Sequence, residues 1–278
     1  MDKRAQPTSE PAILRAEHLD AGHAGHNVLK NLNLKLASGK MTVLLGPNGS
    51  GKSTLLASLS RLLPAQRGSV FLQQRNIADI PSKQVARTLG LLPQQPSVPE
   101  DLSVKDLVAR GRFPHQGLLK QWSEQDQQAV AEAMRLTATT HLAARLVDSL
   151  SGGQRQRVWI AMILAQQTEL ILLDEPTSFL DMRHQVELLE LLRDLVKHHG
   201  RTIVCVLHDL NLALQYTDHL VFLKQGQILH QLEHPSQCTT AIVEQVFETP
   251  LLAVPHPQTG LPIFLSKTAP NQHQAQSA

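Results

Sequence analysis

An apolar run, Met41–Leu45, passes without a break into Gly46-Pro47-Asn48-Gly49-Ser50-Gly51-Lys52-Ser53-Thr54, and helical character begins at Lys52. No other feature limits the possible folds so tightly. Residues 46–53 fit G-x-x-x-x-G-K-[ST], and they lie where that pattern has physical meaning, between a strand and a helix. Glycines let the backbone wrap closely around an anion, so that successive N–H groups and the positive end of the helix converge on phosphate oxygens. On this reading Lys52 carries a mobile charge to the β- and γ-phosphates, and the Ser53 hydroxyl is placed to ligate Mg²⁺. A glycine loop that merely opens a helix is the plainer alternative, and the strand in front of it argues against that.

A second apolar run, Leu170-Ile171-Leu172-Leu173, ends in Asp174-Glu175. Alone, a strand followed by two carboxylates is ordinarily a solvated turn. Downstream of a phosphate loop it reads differently. If the two strands are neighbours, Asp174 reaches Mg²⁺ through its water shell, and Glu175 orients or deprotonates the water that attacks the γ-phosphate. Between these two elements stands Leu150-Ser151-Gly152-Gly153-Gln154, just ahead of a helical pattern running to Ala165. Ser151 is a good N-cap, and the two glycines leave backbone N–H groups uncovered, a second anion site unless this is simply a capped helix start.

The order of these elements resembles the ATP-binding cassette family, the nucleotide-hydrolysing subunits of ABC transporters, over residues 13–232. The resemblance implies an α/β fold: a P-loop NTPase core of ABC type, with an antiparallel β subdomain and an inserted α-helical subdomain. It implies ATP and Mg²⁺ as ligands. Gln94 matches the glutamine that reaches Mg²⁺ and the attacking water, Ser178-Phe179-Leu180-Asp181 matches the D-loop, and His208 matches the switch histidine at the γ-phosphate. In this family two copies pack head to tail, so that Ser151, Gly152, Gly153 and Gln154 of one, with its Asp181, complete the ATP site of the other. Where the family usually offers an aromatic side chain for adenine to stack on, this chain has His23, a smaller and more polar platform.

Within the family, residues 110–116 and 148–162 resemble importers of iron(III)-siderophore complexes, a group that includes haem and vitamin B12 importers. The implied partners are a second copy, an integral membrane permease and, indirectly, an external substrate-binding protein. The implied location is the cytoplasmic face of the inner membrane. Residues 110–116 are expected where a permease helix docks, with Phe113 and Pro114 packed rather than dangling.

Composition fits this picture. Hydrophobic residues make up 42% and charged residues 18%, which excludes disordered, collagenous and disulfide-scaffold classes. The formal charge, 26 − 24 = +2, is small for a protein that neutralises nucleic-acid phosphates. That weighs against a soluble ATPase acting on DNA or ribosomes, and a P-loop kinase would leave residues 151–154 and His208 unexplained. Cys205 and Cys238 form no CxxC and read as reduced thiols. No signal peptide or membrane span is expected. The 14 histidines show no metal-ligand spacing and read as surface residues.

The expected organisation is a flexible arm at 1–12, an ATPase domain at 13–248 with a helical insert at about 95–157, and an extension at 249–278 ending in a loose tail. Strands at 13–19 and 28–36 should form a hairpin around a turn at 21–27, and a helix is expected at 141–146.

Overall fold

A computed structural model describes residues 12–23, 26–96, 101–117 and 122–267. The expected N-terminal arm, apart from Ala12, and the tail beyond residue 267 lie outside the described residues. In chain order the elements are β1 (Ala12–His23), β2 (His26–Ala37), β3 (Met41–Leu45), α1 (Lys52–Leu59), β4 (Arg67–Leu72), β5 (Arg75–Asn76), α2 (Ser82–Thr88) and β6 (Leu89–Leu92). Then come α3 (Val104–Arg110), α4 (Glu124–Leu136), α5 (Gly152–Ala165), β7 (Leu170–Leu173), α6 (Met182–His199), β8 (Thr202–Val206) and α7 (Leu210–Tyr216). The chain continues with β9 (His219–Lys224), β10 (Gln227–Leu232), α8 (Thr240–Phe247), β11 (Leu251–Pro255) and β12 (Pro262–Ser266).

Two sheets face each other. The central one runs β10-β9-β3-β8-β7-β6, parallel from β9 to β6 with β10 antiparallel at one edge. The other, β2-β1-β4-β5, is antiparallel throughout. Every residue of β3, β7 and β8 is buried, as a parallel sheet covered on both faces requires. The two-residue period of a strand then divides each run between two cores. Val43, Leu45, Leu173 and Cys205 pack with the helices, through side chains such as Leu107, Val130 and Trp159. Leu44, Leu172 and Val204 pack with Leu14, Leu34 and the α1 residues Leu55 and Leu56. Both free thiols, Cys205 and Cys238, are buried. No helix among the described residues is long and apolar enough to cross a membrane.

Two of the expected elements need correction, and two observed elements have no counterpart among the expectations. The hairpin turn is shorter than 21–27, because Ala21 pairs with Leu29, both fully buried, and Gly22 with Asn27. Burial on the inner face carries the ladder through residues whose composition suggests a turn. The helix expected at 141–146 is a single 3₁₀ turn, Thr140–Leu142. Backbone groups just beyond it are committed elsewhere: Val104 and Lys105 donate to the Arg145 and Ala143 carbonyls at 2.9 and 3.0 Å, which satisfies the first N–H groups of α3. Helix α2 has no counterpart in the expectations. Finally, the proline-rich stretch after α8 is a β hairpin with Pro255 and Pro262 paired at its turn end.

Helices α3, α4 and α5 pack on one another beside the central sheet. Ser123 and Asp126 form the capping box of α4. Asp126 also meets the Arg112 guanidinium at 2.9 Å, and both side chains are nearly inaccessible. Arg112 bonds further to the Ala165 carbonyl and to Gln167 Oε1, at 2.7 and 2.8 Å, which fixes residues 111–116 against the end of α5. Pro114 is buried there as expected, but Phe113 is 77% exposed. The reason is geometric. Arg112, Pro114 and His115 consume the inward-facing positions of this short turn, and Phe113 is left pointing out.

Candidate active site

Gly46 leaves β3 with φ 149°, and a Cβ there would lie 2.0 Å from the Leu223 carbonyl oxygen. Only glycine fits. The loop is backed by the β9–β10 turn, where the Gly226 N–H donates to the Ser50 carbonyl at 3.0 Å, and the Gly226 carbonyl accepts from Lys30 N–H at 3.0 Å. Gly51, in the left-handed region, caps α1 with no side-chain bond, so the N-terminal N–H groups of the helix are available to a ligand. The Ser50 hydroxyl is buried and has no protein partner, which suits a phosphate-binding loop.

Lys52 is 6% exposed and donates to the Gly46 and Pro47 carbonyls at 2.8 and 2.9 Å, which lays the ammonium across the loop. Burial pulls its pKa down, and the charges of Glu175 and Asp174 work against that pull. Thr54 lies in the first turn of α1, two residues after Lys52.

The neighbour condition placed on Asp174 is not met, because β8 lies between β3 and β7. The carboxylate still reaches the loop. Ser53 Oγ donates to Asp174 Oδ1 at 3.1 Å, across the mouth of the intervening strand. Burial raises the Asp174 pKa, the Ser53 hydrogen bond lowers it, and the neighbouring charge of Glu175 raises it further. Two hard oxygen donors, one a half-buried carboxylate whose pKa burial raises, form a set that suits a small divalent cation keeping most of its waters. No group of three or more His, Cys, Asp and Glu side chains suited to a metal occurs among the described residues.

Glu175 adopts φ 50°, a left-handed conformation that costs a non-glycine residue ~1–2 kcal/mol. Three side chains converge on its carboxylate. Gln94 Nε2 and Ser178 Oγ donate to Oε2 at 2.5 and 2.9 Å, and His208 Nε2 lies 2.7 Å from Oε1. Burial pushes the Glu175 pKa up, but the bonds from His208, Ser178 and Gln94 outweigh it and hold the group below its ordinary value. The result is an oriented, ionised carboxylate at the mouth of the phosphate loop. Chemically it can accept a proton from a water beside the loop. Gln94 meets Glu175 through its amide nitrogen, so its carbonyl oxygen is the atom left for a cation or water.

The remaining expected residues form separate groups. Ser151 caps α5, with reciprocal bonds of 3.3 Å to Gln154. Asp181 caps α6, accepting from His184 N–H at 2.9 Å and meeting His184 Nδ1 at 2.7 Å. The His184 ring lies so close to Gly153 that a Cβ there would be 2.6 Å from it, so the 151–154 turn and the 178–184 segment are packed together. No hydrogen bond among the described residues joins Ser151, Gly152, Gly153 or Gln154 to the phosphate loop of the same chain. His23 sits exposed at the end of β1, paired with His26. Two residues further along β2, Val28 and its neighbour Leu29 abut Gly51, which puts this end of the hairpin beside the loop.

Sequence reasoning missed the partnership of Ser178 with Glu175 and the backing role of Gly226. The first has a local signal, a serine three residues after the carboxylate. The second has none, since it depends on β9 lying next to β3.

A family model described as ABC transporter matches residues 29–178. The ferric enterobactin transport ATP-binding protein of Escherichia coli (strain K12) is 46% identical over 266 residues, 95% of this chain and 98% of that protein. A probable siderophore transport system ATP-binding protein of Bacillus subtilis (strain 168) is 49% identical over 254 residues, 91% of this chain and 92% of that protein. Among solved structures, an ABC transporter thought to be of the metal-chelate type, in an inward-facing conformation, superposes with TM-score 0.80 at 30% identity, over 93% of this chain and 98% of that one. The dimeric structure of a bacterial ABC transporter cassette superposes with TM-score 0.70 at 27% identity, over 79% and 98%. The phosphate loop, the strand-end carboxylates and these likenesses agree: the chain belongs to the ABC transporter family, as an ATP-binding and ATP-hydrolysing subunit.

Proposed function

We propose that this subunit powers the import of an iron(III)-siderophore complex through a membrane permease, with ATP held between two copies of the chain. The observation that carries the hydrolytic part is the set of three side chains converging on Glu175. The E. coli and B. subtilis relatives, whose names give ferric enterobactin transport and probable siderophore transport, support the cargo.

The roles follow from position. The backbone of Gly46, Pro47, Asn48, Gly49, Ser50 and Gly51 and the N-terminus of α1 bind the β- and γ-phosphates, and Lys52 adds its charge. Ser53 and Asp174 would hold Mg²⁺, with the Gln94 carbonyl oxygen turned to it, and the ion would compensate phosphate charge. Glu175 takes a proton as a water oxygen bonds to the γ-phosphorus and the bond to the bridging oxygen breaks, giving ADP and phosphate. His208 orients Glu175 and faces the γ-phosphate. Ser151, Gly152, Gly153, Gln154 and Asp181 serve the ATP of the other copy, and the bacterial cassette's dimeric structure supports that reading. His23, on the hairpin whose Val28 and Leu29 abut the loop, takes the adenine-facing place that the family resemblance implies.

The permease contact is the exposed Phe113, on a turn held rigid by Arg112 and His115. His115 Nε2 lies 2.8 Å from the Gln166 carbonyl, so this histidine supports the turn rather than the partner. The subunit then works at the cytoplasmic face of the inner membrane, bound to the permease, which receives cargo from an external binding protein. The test is Phe113→Ala in membrane vesicles. Transport of a ferric siderophore and permease-stimulated ATPase should fall about tenfold, the effect of truncating an aromatic anchor, with ATP affinity intact. Full transport in this variant overturns the docking assignment, and failure of the wild type to move any ferric siderophore overturns the cargo.

A further inference from the structure

The C-terminal hairpin is joined to the chain at a point that bears on His208. Asn211, in the first turn of α7, donates from Nδ2 to the Phe264 carbonyl at 3.1 Å and accepts from the Phe264 N–H on Oδ1 at 2.8 Å. One side-chain amide therefore satisfies both outward backbone groups of the central residue of β12, as a neighbouring strand would. Phe264 is 6% exposed and belongs to the same core as the α7 residues Ala213 and Leu214. Three residues before Asn211, His208 reaches Glu175 at 2.7 Å. Asp209, between them, caps α7 by accepting from Leu212 N–H at 2.9 Å.

The far side of the hairpin is anchored separately. Leu251 N–H donates to Glu244 Oε1 on α8 at 2.8 Å. In turn α8 is held to β9, where Lys224 Nζ meets the Gln245 carbonyl and Glu248 Oε1, each at 2.6 Å. The same β9 supplies Leu223 and the turn that backs the phosphate loop. The hairpin thus spans from the strand behind the loop to the helix behind His208. With only seven residues, α7 owes little to its own helix propensity and depends on such packing.

We propose that Asn211 is a positioning residue for ATP hydrolysis: by clamping α7 to Phe264 it sets the approach of His208 to Glu175, and the C-terminal hairpin braces the hydrolytic site. The proposal rests on the roles of Glu175 and His208 given above. Removing the amide strands two buried backbone groups of Phe264 and frees α7 to pivot, and a small displacement of an orienting group lowers the chemical step without weakening phosphate binding.

The test uses the full-length chain with Asn211→Ala, Asn211→Asp and Leu252→Ala. ATP affinity, steady-state hydrolysis and thermal melting are measured for each. Asn211→Ala should lower kcat about five- to twentyfold with ATP affinity changed less than about twofold. Asn211→Asp retains only the acceptor for the Phe264 N–H and should fall between it and the wild type. Leu252→Ala, exposed on the same hairpin, should match the wild type. In single-turnover measurements on a His208→Ala background, Asn211→Ala should have little further effect, since the two act through one contact. Undiminished kcat in Asn211→Ala, an equal loss in Leu252→Ala, or a full multiplicative loss on the His208→Ala background would each overturn the proposal. Full hydrolysis by His208→Ala alone would overturn the site reading itself, and the proposal with it.

Discussion

Replacing Glu175 by glutamine isolates proton acceptance from everything else this residue does. The variant amide can keep its oxygen where Oε2 stands, accepting from Gln94 Nε2 and Ser178 Oγ at 2.5 and 2.9 Å. Its NH₂ then occupies the Oε1 position, 2.7 Å from His208 Nε2. That pairing works when Nε2 is the unprotonated nitrogen, so the substitution selects one neutral tautomer of His208 and leaves all three neighbours partnered. Shape, the strained φ of 50° and the phosphate loop are untouched. What disappears is the basic oxygen. Loss of a positioned base lowers the chemical step by ~10²–10⁴, which corresponds to roughly 3–5 kcal/mol of activation free energy. The assays are single-turnover hydrolysis, ATP affinity, and gel filtration with MgATP, where stalled hydrolysis should let an ATP-bound dimer accumulate. Hydrolysis within about threefold of wild type would refute the role of Glu175, and an exclusively monomeric variant would refute the shared ATP site.

Other outcomes follow from the contacts of Glu175 and from the buried Arg112–Asp126 pair. Because hydrogen bonds hold the Glu175 pKa below its ordinary value, hydrolysis should persist as pH falls and fade only through that depressed pKa. Ser178→Ala removes one of those bonds, so the acid limb of the kcat profile should move to higher pH, and an unmoved limb would count against the assignment. Arg112→Ala strands the Asp126 carboxylate, 1% exposed, and should cost about 3–5 kcal/mol in urea unfolding, where a loss under about 1 kcal/mol would show the pair to be unimportant. Bonds from Ser123, working against burial, and then from Arg112 hold the Asp126 pKa down at about 2 from 3.8. Its contribution to wild-type stability is therefore present above the unfolded value and lost as pH falls from there toward about 2.

Local chemistry determined much of this protein without help from the fold. The phosphate loop, the caps Ser123, Ser151 and Asp181, the left-handed Gly200 that ends α6, and the apolar runs of β3, β7 and β8 all depend on residues a few positions apart. Such contacts are written in spacing, and a sequence displays spacing directly. Tertiary structure decided the rest, through pairings of residues far apart in the chain. It put β8 between β3 and β7, so that Asp174 reaches Ser53 across a strand rather than from next door. It turned Phe113 outward by filling the inward positions with Arg112 and Pro114, and it spent the backbone groups of Ala143 and Arg145 on α3, leaving no helix there. It also folded a proline-rich stretch into a hairpin, β11 paired with β12, and docked it on α7 through the two hydrogen bonds between the Asn211 side chain and the Phe264 backbone. No periodicity or composition records that partnership, since its two halves lie 53 residues apart.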